Sequence, residues 1–388
     1  MSTRQTIAAM LITTLTILTT GYAETAYQDS VKYRFNPVIV TATKVAGVQK
    51  DIAASVSIIS EQMIERSTAT SVLDIVKDHV PGVYITERAV YGYGVASGAA
   101  GGISIRGIGG SPVTGVLVLR DGRPDIMGQM GHPIPDAYSL AGVERVEIVR
   151  GPASFLYGTN AMGGVINIVS KKVDTDGFRT RLSGGIGTFN SKNLSVFHGG
   201  KRNAFEYYVT AGTKITDGHR DYSNYEGDFY TAHLGYSLGA RTNISLNANL
   251  SNVYLLDPGS AAAPKIDNWY DLRRSGIDLT INHSGQFGDT YFRWHGNFGR
   301  HKIYDGWRSK DQTIGFMFYH NYRLFAGNIS TIGFDIKKYG GHAEDTINKR
   351  PAIDYSEHFI TEYAPYIHTQ QMFLRRLLFS AGLRIENQ

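Results

Sequence analysis

Asn243-Ile244-Ser245-Leu246-Asn247-Ala248-Asn249-Leu250 alternates polar and apolar side chains without a fault. A period of two puts the apolar residues on one face of an extended strand and the polar ones on the other. The same alternation runs through 205–210, 292–298 and 331–337; in the second of these Phe292, Trp294 and Phe298 share one side, and Arg293, His295 and Asn297 the other. Such strands have two settings. In a soluble sandwich the apolar faces of two sheets meet and the polar faces meet water. In a membrane barrel the apolar face meets lipid and the polar face a wet lumen.

Connection lengths decide between them. Eleven strands are read at about 178–187, 193–200, 205–215, 228–237, 242–253, 270–284, 289–302, 310–324, 328–339, 358–374 and 377–388. After the first hairpin, short connections (Lys201–Ala204, Leu238–Arg241, Gly285–Gly288, Phe325–Gly327, Arg375–Arg376) alternate with longer ones (Thr216–Glu226, Tyr254–Trp269, Ile303–Lys310, Gly340–Glu357). A barrel with short periplasmic turns and long outer loops sorts its connections by parity; a sandwich has no reason to. Several strands also exceed the ~5–6 residues usual in soluble sheets.

Composition agrees. Hydrophobic residues make up 42% of the 388 and charged residues 19%, which excludes wholesale disorder. Beyond the N-terminus no run approaches the ~20 apolar residues of a spanning helix. With no cysteine there is no disulfide framework, thiolate metal site or cysteine nucleophile. A net charge of +5 is too small and scattered to argue for nucleic acid. The first residues read as an address: Arg4, a short apolar run over Ile7–Thr19, then Gly21-Tyr22-Ala23 before Glu24, the pattern of a cleaved secretory signal peptide over 1–23.

Between Pro37 and Lys172 the grammar is different. Strand candidates at Val38–Thr41, Val56–Ile59, Ile103–Arg106, Val116–Leu119, Glu144–Val149 and Val165–Val169 alternate with helical patterns. One helix starts at Ser60 with Glu61 in its first turn; another, Ser71–Lys77, places Val72, Ile75 and Val76 on one face.

Within this region the segment Val143–Lys171, with Arg150-Gly151-Pro152 and Gly163-Gly164-Val165-Ile166-Asn167, resembles the end of the plug domain of TonB-dependent outer-membrane receptors. Ile105-Arg106-Gly107 and Val118-Leu119-Arg120-Asp121-Gly122-Arg123-Pro124 match other plug signatures, and Val38-Ile39-Val40-Thr41-Ala42-Thr43-Lys44 resembles the TonB box. The pieces stand in family order behind a signal peptide. The resemblance implies a membrane β-barrel, 22-stranded in the complete family, with an N-terminal α/β plug in its lumen. The domains expected are a signal peptide (1–23), a periplasmic segment with the TonB box (24–44), a plug (45–172) and the N-terminal half of a barrel (173–388).

The function implied is active transport of a scarce ligand, a ferric siderophore or cobalamin, by a monomer in the outer-membrane lipid of a Gram-negative cell. Its partners are TonB, with the inner-membrane energy-transducing complex, and the metal chelate itself. No resident cofactor or metal, and no nucleic-acid partner, is expected. Coupling falls to Val38, Ile39, Val40, Thr41 and Ala42, an extended apolar run suited to adding as a strand to a partner's sheet edge. Ligand contact falls to two outward plug loops carrying Arg88, Tyr91 and Tyr93, and Met127, Met130 and His132. Met-x-x-Met-x-His is also a soft-donor set that suits copper or haem iron, so a haem or copper receptor of the same fold is a second reading. Arg106, Glu144, Glu147 and Arg150 are expected to lock plug to wall by charge pairs. A passive pore or adhesin with a structural plug is a third, and it needs no coupling segment. No zinc-protease, P-loop or nucleophile-elbow motif supports an enzyme.

The strand count carries one more expectation. Residues 173–388 supply about eleven strands at ~20 residues per strand and connection, half of a 22-stranded wall. A sheet of that size is expected to remain open, with alternation still running at Leu378–Glu386.

Overall fold

The computed structural model describes residues 38–39, 44, 47–48, 52–87, 89–93, 101–110, 113–347, 357–374 and 376–388. The expected signal peptide, and Val40, Thr41, Ala42 and Arg88, lie outside these residues. The first two residues of the expected coupling segment form β1 (Val38–Ile39), antiparallel to β2 (Gly47–Val48).

The plug is built on a five-stranded mixed sheet. Its strands are β3 (Val56–Ile59), β7 (Val116–Arg120), β8 (Arg123–Pro124), β9 (Val143–Arg150) and β10 (Gly164–Ser170), in the order β3-β9-β10-β7-β8. A small sheet, β4 (Val83–Ile85), β5 (Ile103–Ile105) and β6 (Ile108–Gly110), lies beside it. The continuous apolar run Val116–Leu119, and Val165–Val169 with only the buried Asn167 interrupting it, follow from burial on both faces of the large sheet. Val116, Val118, Ile148, Ile166 and Ile168 pack toward the helices, and Leu117, Leu119, Val149 and Val165 toward Ala153 and Ala161.

Helix α1 (Glu61–Arg66) begins where Ser60 accepts a hydrogen bond from the Met63 amide at 3.4 Å. Helix α2 (Val72–His79) is held by a reciprocal cap: Ser71 Oγ accepts from Asp74 N at 3.2 Å and Asp74 Oδ2 accepts from Ser71 N at 3.0 Å. Its Val72, Leu73, Ile75 and Val76 are fully buried, worth roughly 1.5–3 kcal/mol each.

From Gly177 the chain forms one antiparallel sheet of eleven strands in sequential order. They are β11 (Gly177–Gly187), β12 (Ser191–Arg202), β13 (Phe205–Thr216), β14 (Tyr225–Leu238), β15 (Thr242–Leu256), β16 (Trp269–Ser284), β17 (Gly288–Ile303), β18 (Trp307–Tyr322), β19 (Asn328–Asp345), β20 (His358–Phe373) and β21 (Leu377–Arg384). Each strand expected from the alternation is present, with ends shifted by a few residues. Burial is inside out. Thr331 and Arg293 are 0% and 3% exposed on the face toward the plug, while their neighbours Ile332 and Trp294 are 51% and 39% exposed on the other. Over the middle of β15–β20 the polar stripe is the covered one. Strands β11 and β21 are the sheet's two edges.

One connection departs from expectation. In place of a long loop over Ile303–Lys310, a three-residue turn, 304–306, joins β17 to β18, with Gly306 at φ +95° donating to Ile303 O at 3.1 Å. Pairing continues through Lys302↔Arg308, because Arg308 and Lys310 point to the outer face while Ser309 and Asp311 stay covered. Charge on an outward position beyond the apolar band reads as loop and folds as strand. For the same reason β19 runs to Asp345 through Gly340 and Gly341.

The cap of α2 gives a direct check. Ser71→Ala is expected to cost about 1 kcal/mol, so that α2 amides exchange roughly fivefold faster in the whole protein. Unchanged exchange would show the cap to be dispensable.

Candidate functional site

The connections 217–224, 257–268 and 304–306 share one end of the sheet, and there two plug segments meet the wall. Met127 and Ile134 from the plug are buried against Tyr225, Phe229, Val253, Leu255, Tyr270, Leu272 and Ile303. Tyr91 packs edge-on against Tyr225, ring centres 5.9 Å apart. On the outward stripe of the wall at the same level, Tyr254 stacks on Trp269 at 6.5 Å, and the Arg308 guanidinium lies 5.1 Å over the Trp269 ring. Lys214 Nζ sits 5.9 Å from the Tyr91 ring and 5.3 Å from that of Phe229. Aromatic faces beside cations suit a bulky, anionic, ring-bearing ligand.

Deeper in, a belt of buried charge joins plug and wall. Arg123, at the end of the Arg120-Asp121-Gly122-Arg123 signature, places Nε 3.3 Å from Asp278 Oδ2, and its Nη atoms donate to Asn297 and Asn249. Both partners of the ion pair are nearly fully buried. Gly276 makes the space, since any side chain there would occupy the position of the Arg123 guanidinium. Arg293 donates from Nη2 to Asp121 O at 2.7 Å, and Asn297 Nδ2 to Pro124 O at 2.8 Å. Arg274 bonds Asp311 at 2.8 Å and reaches the plug at Ile126 O (2.9 Å), while the Gly128 amide donates to Asp311 Oδ1 at 2.7 Å. A side chain at Gly128 would run into the carbonyls of Gln312 and Gly340. Burial pushes the Asp125 carboxyl up, yet Arg120, Arg123 and Arg274 outweigh it and hold it below the usual carboxylate range.

Lys44, two residues beyond the expected coupling segment, is also seated in the wall. Its Nζ donates to Tyr366 Oη at 2.7 Å, stands 3.6 Å from Asp335 and lies over the Tyr366 ring at 4.1 Å. Burial pulls its pKa down to about 8, with Asp335 opposing.

The expected ligand residues divide. Tyr91 is half-buried against Tyr225 and Met130 is 53% exposed. Tyr93 is buried, its hydroxyl bonded to Asp74 and Ser71 and its amide donating to Asp136 Oδ1 at 2.7 Å, so it braces the loop against the helix cap. Met127 is buried in the apolar floor, and His132 Nδ1 is 2.8 Å from Pro133 O. The Met127 amide donates to His132 O at 2.8 Å, a backbone tie, and the three side chains do not share one environment. Among the described residues, no group of three or more His, Asp or Glu is placed to hold a metal.

The residues expected to form the lock make several contacts inside the plug. Arg106 donates to Ser55 at 3.0 Å, Arg150 to Pro81 O at 3.2 Å, and Arg145 pairs with Glu144 at 2.9 Å and Glu147 at 2.8 Å, all within the plug. Glu144, Glu147 and Arg150 lie on β9, which pairs with β3 and β10. The wall contacts belong to Arg123, Asp125, Arg274, Asp278, Arg293 and Asp311. Their signal was visible as single charges on the covered stripe of alternating strands, opposite a plug motif that already held Arg123.

Residues 48–165 match the family described as the TonB-dependent Receptor Plug Domain. Solved structures resemble the chain over most of its length. The siderophore receptor PirA from Pseudomonas aeruginosa is 21% identical, with TM-score 0.66, over 85% of this chain and 55% of that one. A mutant of the ferric enterobactin receptor (PfeA) from the same organism is 17% identical, with TM-score 0.70, over 90% and 59%. The ferripyoverdine receptor of its outer membrane, bound to ferripyoverdine, is 13% identical, with TM-score 0.70, over 94% and 56%. The chain thus spans a little over half the length of these receptors. It carries a TonB-dependent receptor plug on an eleven-stranded sheet that matches part of their barrel.

Asp136 supplies a pH test of the floor. Burial raises its carboxyl from 3.8 to about 6, against the pull of the Tyr93 amide and Lys214. Between pH 4 and 6 the folded state therefore holds a proton that the unfolded state releases, so this group makes stability fall as pH rises through that window. Asp136→Asn, which keeps the acceptor for Tyr93, is expected to flatten the slope by up to about 1.4 kcal/mol per pH unit. A slope unchanged in denaturant titrations would contradict the assignment.

Proposed function

From a TonB-dependent receptor plug docked on the covered face of such a wall, we propose that this chain serves in energy-coupled uptake of a ferric siderophore across an outer membrane. The plug itself carries the reading: a passive pore gains nothing from a lumenal domain preceded by an extended segment. The outer membrane has no ATP on either side, so concentrative import needs work delivered through the periplasm. The run Val38–Ala42 fits that role, because an extended strand can add to a partner's sheet edge through its backbone. TonB, driven by the inner-membrane complex, is the proposed partner.

The inside-out wall supports insertion in lipid, with the exposed apolar stripe outward and the polar stripe on the plug. We assign 1–23 to export, 24–44 to coupling, 45–172 to the plug and 173–388 to the wall. Cargo is proposed to meet Tyr91 and Met130 above the apolar floor, with Arg220 and Lys265 on the outer connections favouring anionic chelates. The neighbours described as siderophore receptors support a ferric chelate over cobalamin. A copper or haem reading is disfavoured by the burial of Met127 in the apolar floor.

The test is iron uptake and growth rescue on a panel of iron chelates and cobalamin, with and without this gene. A proline at Ile39 removes a backbone donor and fixes φ, so Ile39→Pro is expected to abolish uptake while surface binding of the same chelate persists. Undiminished uptake in Ile39→Pro would overturn the coupling assignment, and rescue by cobalamin alone would overturn the cargo.

A further inference from the structure

On the far side of the charged belt, at the end of the short connections, plug and wall part to leave a cavity of about 540 Å³. Asn167, Lys171 and Lys172 line its plug side; Asn282, Tyr291 and Asn321 line its wall side. The volume falls within the ~300–1,000 Å³ of small-molecule sites. Its charge is lopsided: six Lys or Arg (Lys44, Arg145, Lys171, Lys172, Arg293, Arg323) against three acids (Asp121, Glu147, Asp289). Several of these are paired, Arg145 with Glu147 and Arg323 with Asp289 among them. Arg293 is paired too, its Nε 3.6 Å from Asp278, but with a nitrogen to spare: it is 3% exposed, it uses Nε and Nη2 on Thr280 and Asp121, and its Nη1 is buried without a hydrogen-bond partner. An unpaired buried guanidinium nitrogen in a basic, amide- and hydroxyl-lined cavity is a donor set for an anionic, oxygen-rich ligand.

We propose that this cavity is a second, inner seat for cargo: a vestibule that holds an anionic metal chelate between plug and wall before its release at the short-connection end. The proposal rests on the uptake reading above and adds a place on the route. The belt of Arg123, Asp278 and Arg293 separates the vestibule from the apolar floor at the outer-loop end, so a ligand leaving the outer seat crosses the belt before it meets the basic cavity. Lys44 forms part of the lining and lies two residues beyond the coupling segment, so traction on that segment acts directly on the vestibule wall.

The chain's lack of cysteine allows a clean test on the full-length protein in outer-membrane vesicles. Ser245→Cys places a thiol in the lining by a near-isosteric change, and Gln286→Cys places one on the adjoining turn as reference. Reaction rates are measured with methanethiosulfonate reagents carrying either a sulfonate or a trimethylammonium group. The sulfonate-to-ammonium rate ratio is expected to be about tenfold higher at 245 than at 286, and to fall when Lys172→Gln is added. An equal or reversed ratio overturns the proposal. In the second arm, a bulky anionic reagent attached at 245 is expected to stop uptake of iron-55 enterobactin or pyoverdine while leaving surface binding intact; unaltered uptake overturns it. Import of neither chelate by the unmodified protein would count against the uptake reading alone, and the reagent rates would still decide the vestibule.

Discussion

A plug can sit inside a wall only if the charges that face each other across the joint are neutralised, and here the Arg123–Asp278 pair anchors that joint. Buried ion pairs contribute little net stability, because desolvation offsets most of their attraction, but removing one partner leaves a buried charge and costs about 3–5 kcal/mol. Such a joint is specific without being greasy. An apolar plug–wall interface would hold by area alone and resist separation in water, whereas charged groups are rehydrated when the surfaces part. The floor beside Tyr91 is the apolar exception, and it lies at the end where cargo would land.

The wall solves a separate problem with the same alternation. Every strand inside β11–β21 satisfies its backbone on both sides, and the period of two sends apolar groups outward and polar groups to the plug. Glycines on the covered stripe then accept long side chains, as Gly276 does for Arg123. Fold and function share one requirement: the inner stripe must be polar enough to grip a plug and small enough in places to admit it.

Much of this was legible beforehand. The eleven strands followed from period and connection parity, and the plug from the order of its motifs. Helix α2 was visible from Ser71 and the spacing of Val72, Ile75 and Val76. The turn at 304–306 was not, because Arg308 and Lys310 are polar on an outward face that is polar only past the apolar band. The partners of Glu144, Glu147 and Arg150 were not legible, because spacing shows that they are charged but not that β9 is an interior plug strand. Tyr93 looked like a ligand residue until its hydroxyl was found against the Asp74 carboxylate. Long-range pairs such as Arg123 with Asp278 have no local signature in a single sequence.

The claim on which the rest depends is that the belt docks the plug, and a double-mutant cycle measures it. Arg123→Met, Asp278→Leu and the double variant are compared by the urea concentration at which plug amides lose protection from hydrogen exchange in the membrane-inserted protein. The account predicts that each single change destabilises docking and that the pair is strongly non-additive, with a coupling of about 1.5–3 kcal/mol. Additivity within ~0.5 kcal/mol would contradict it and leave the apolar floor as the joint.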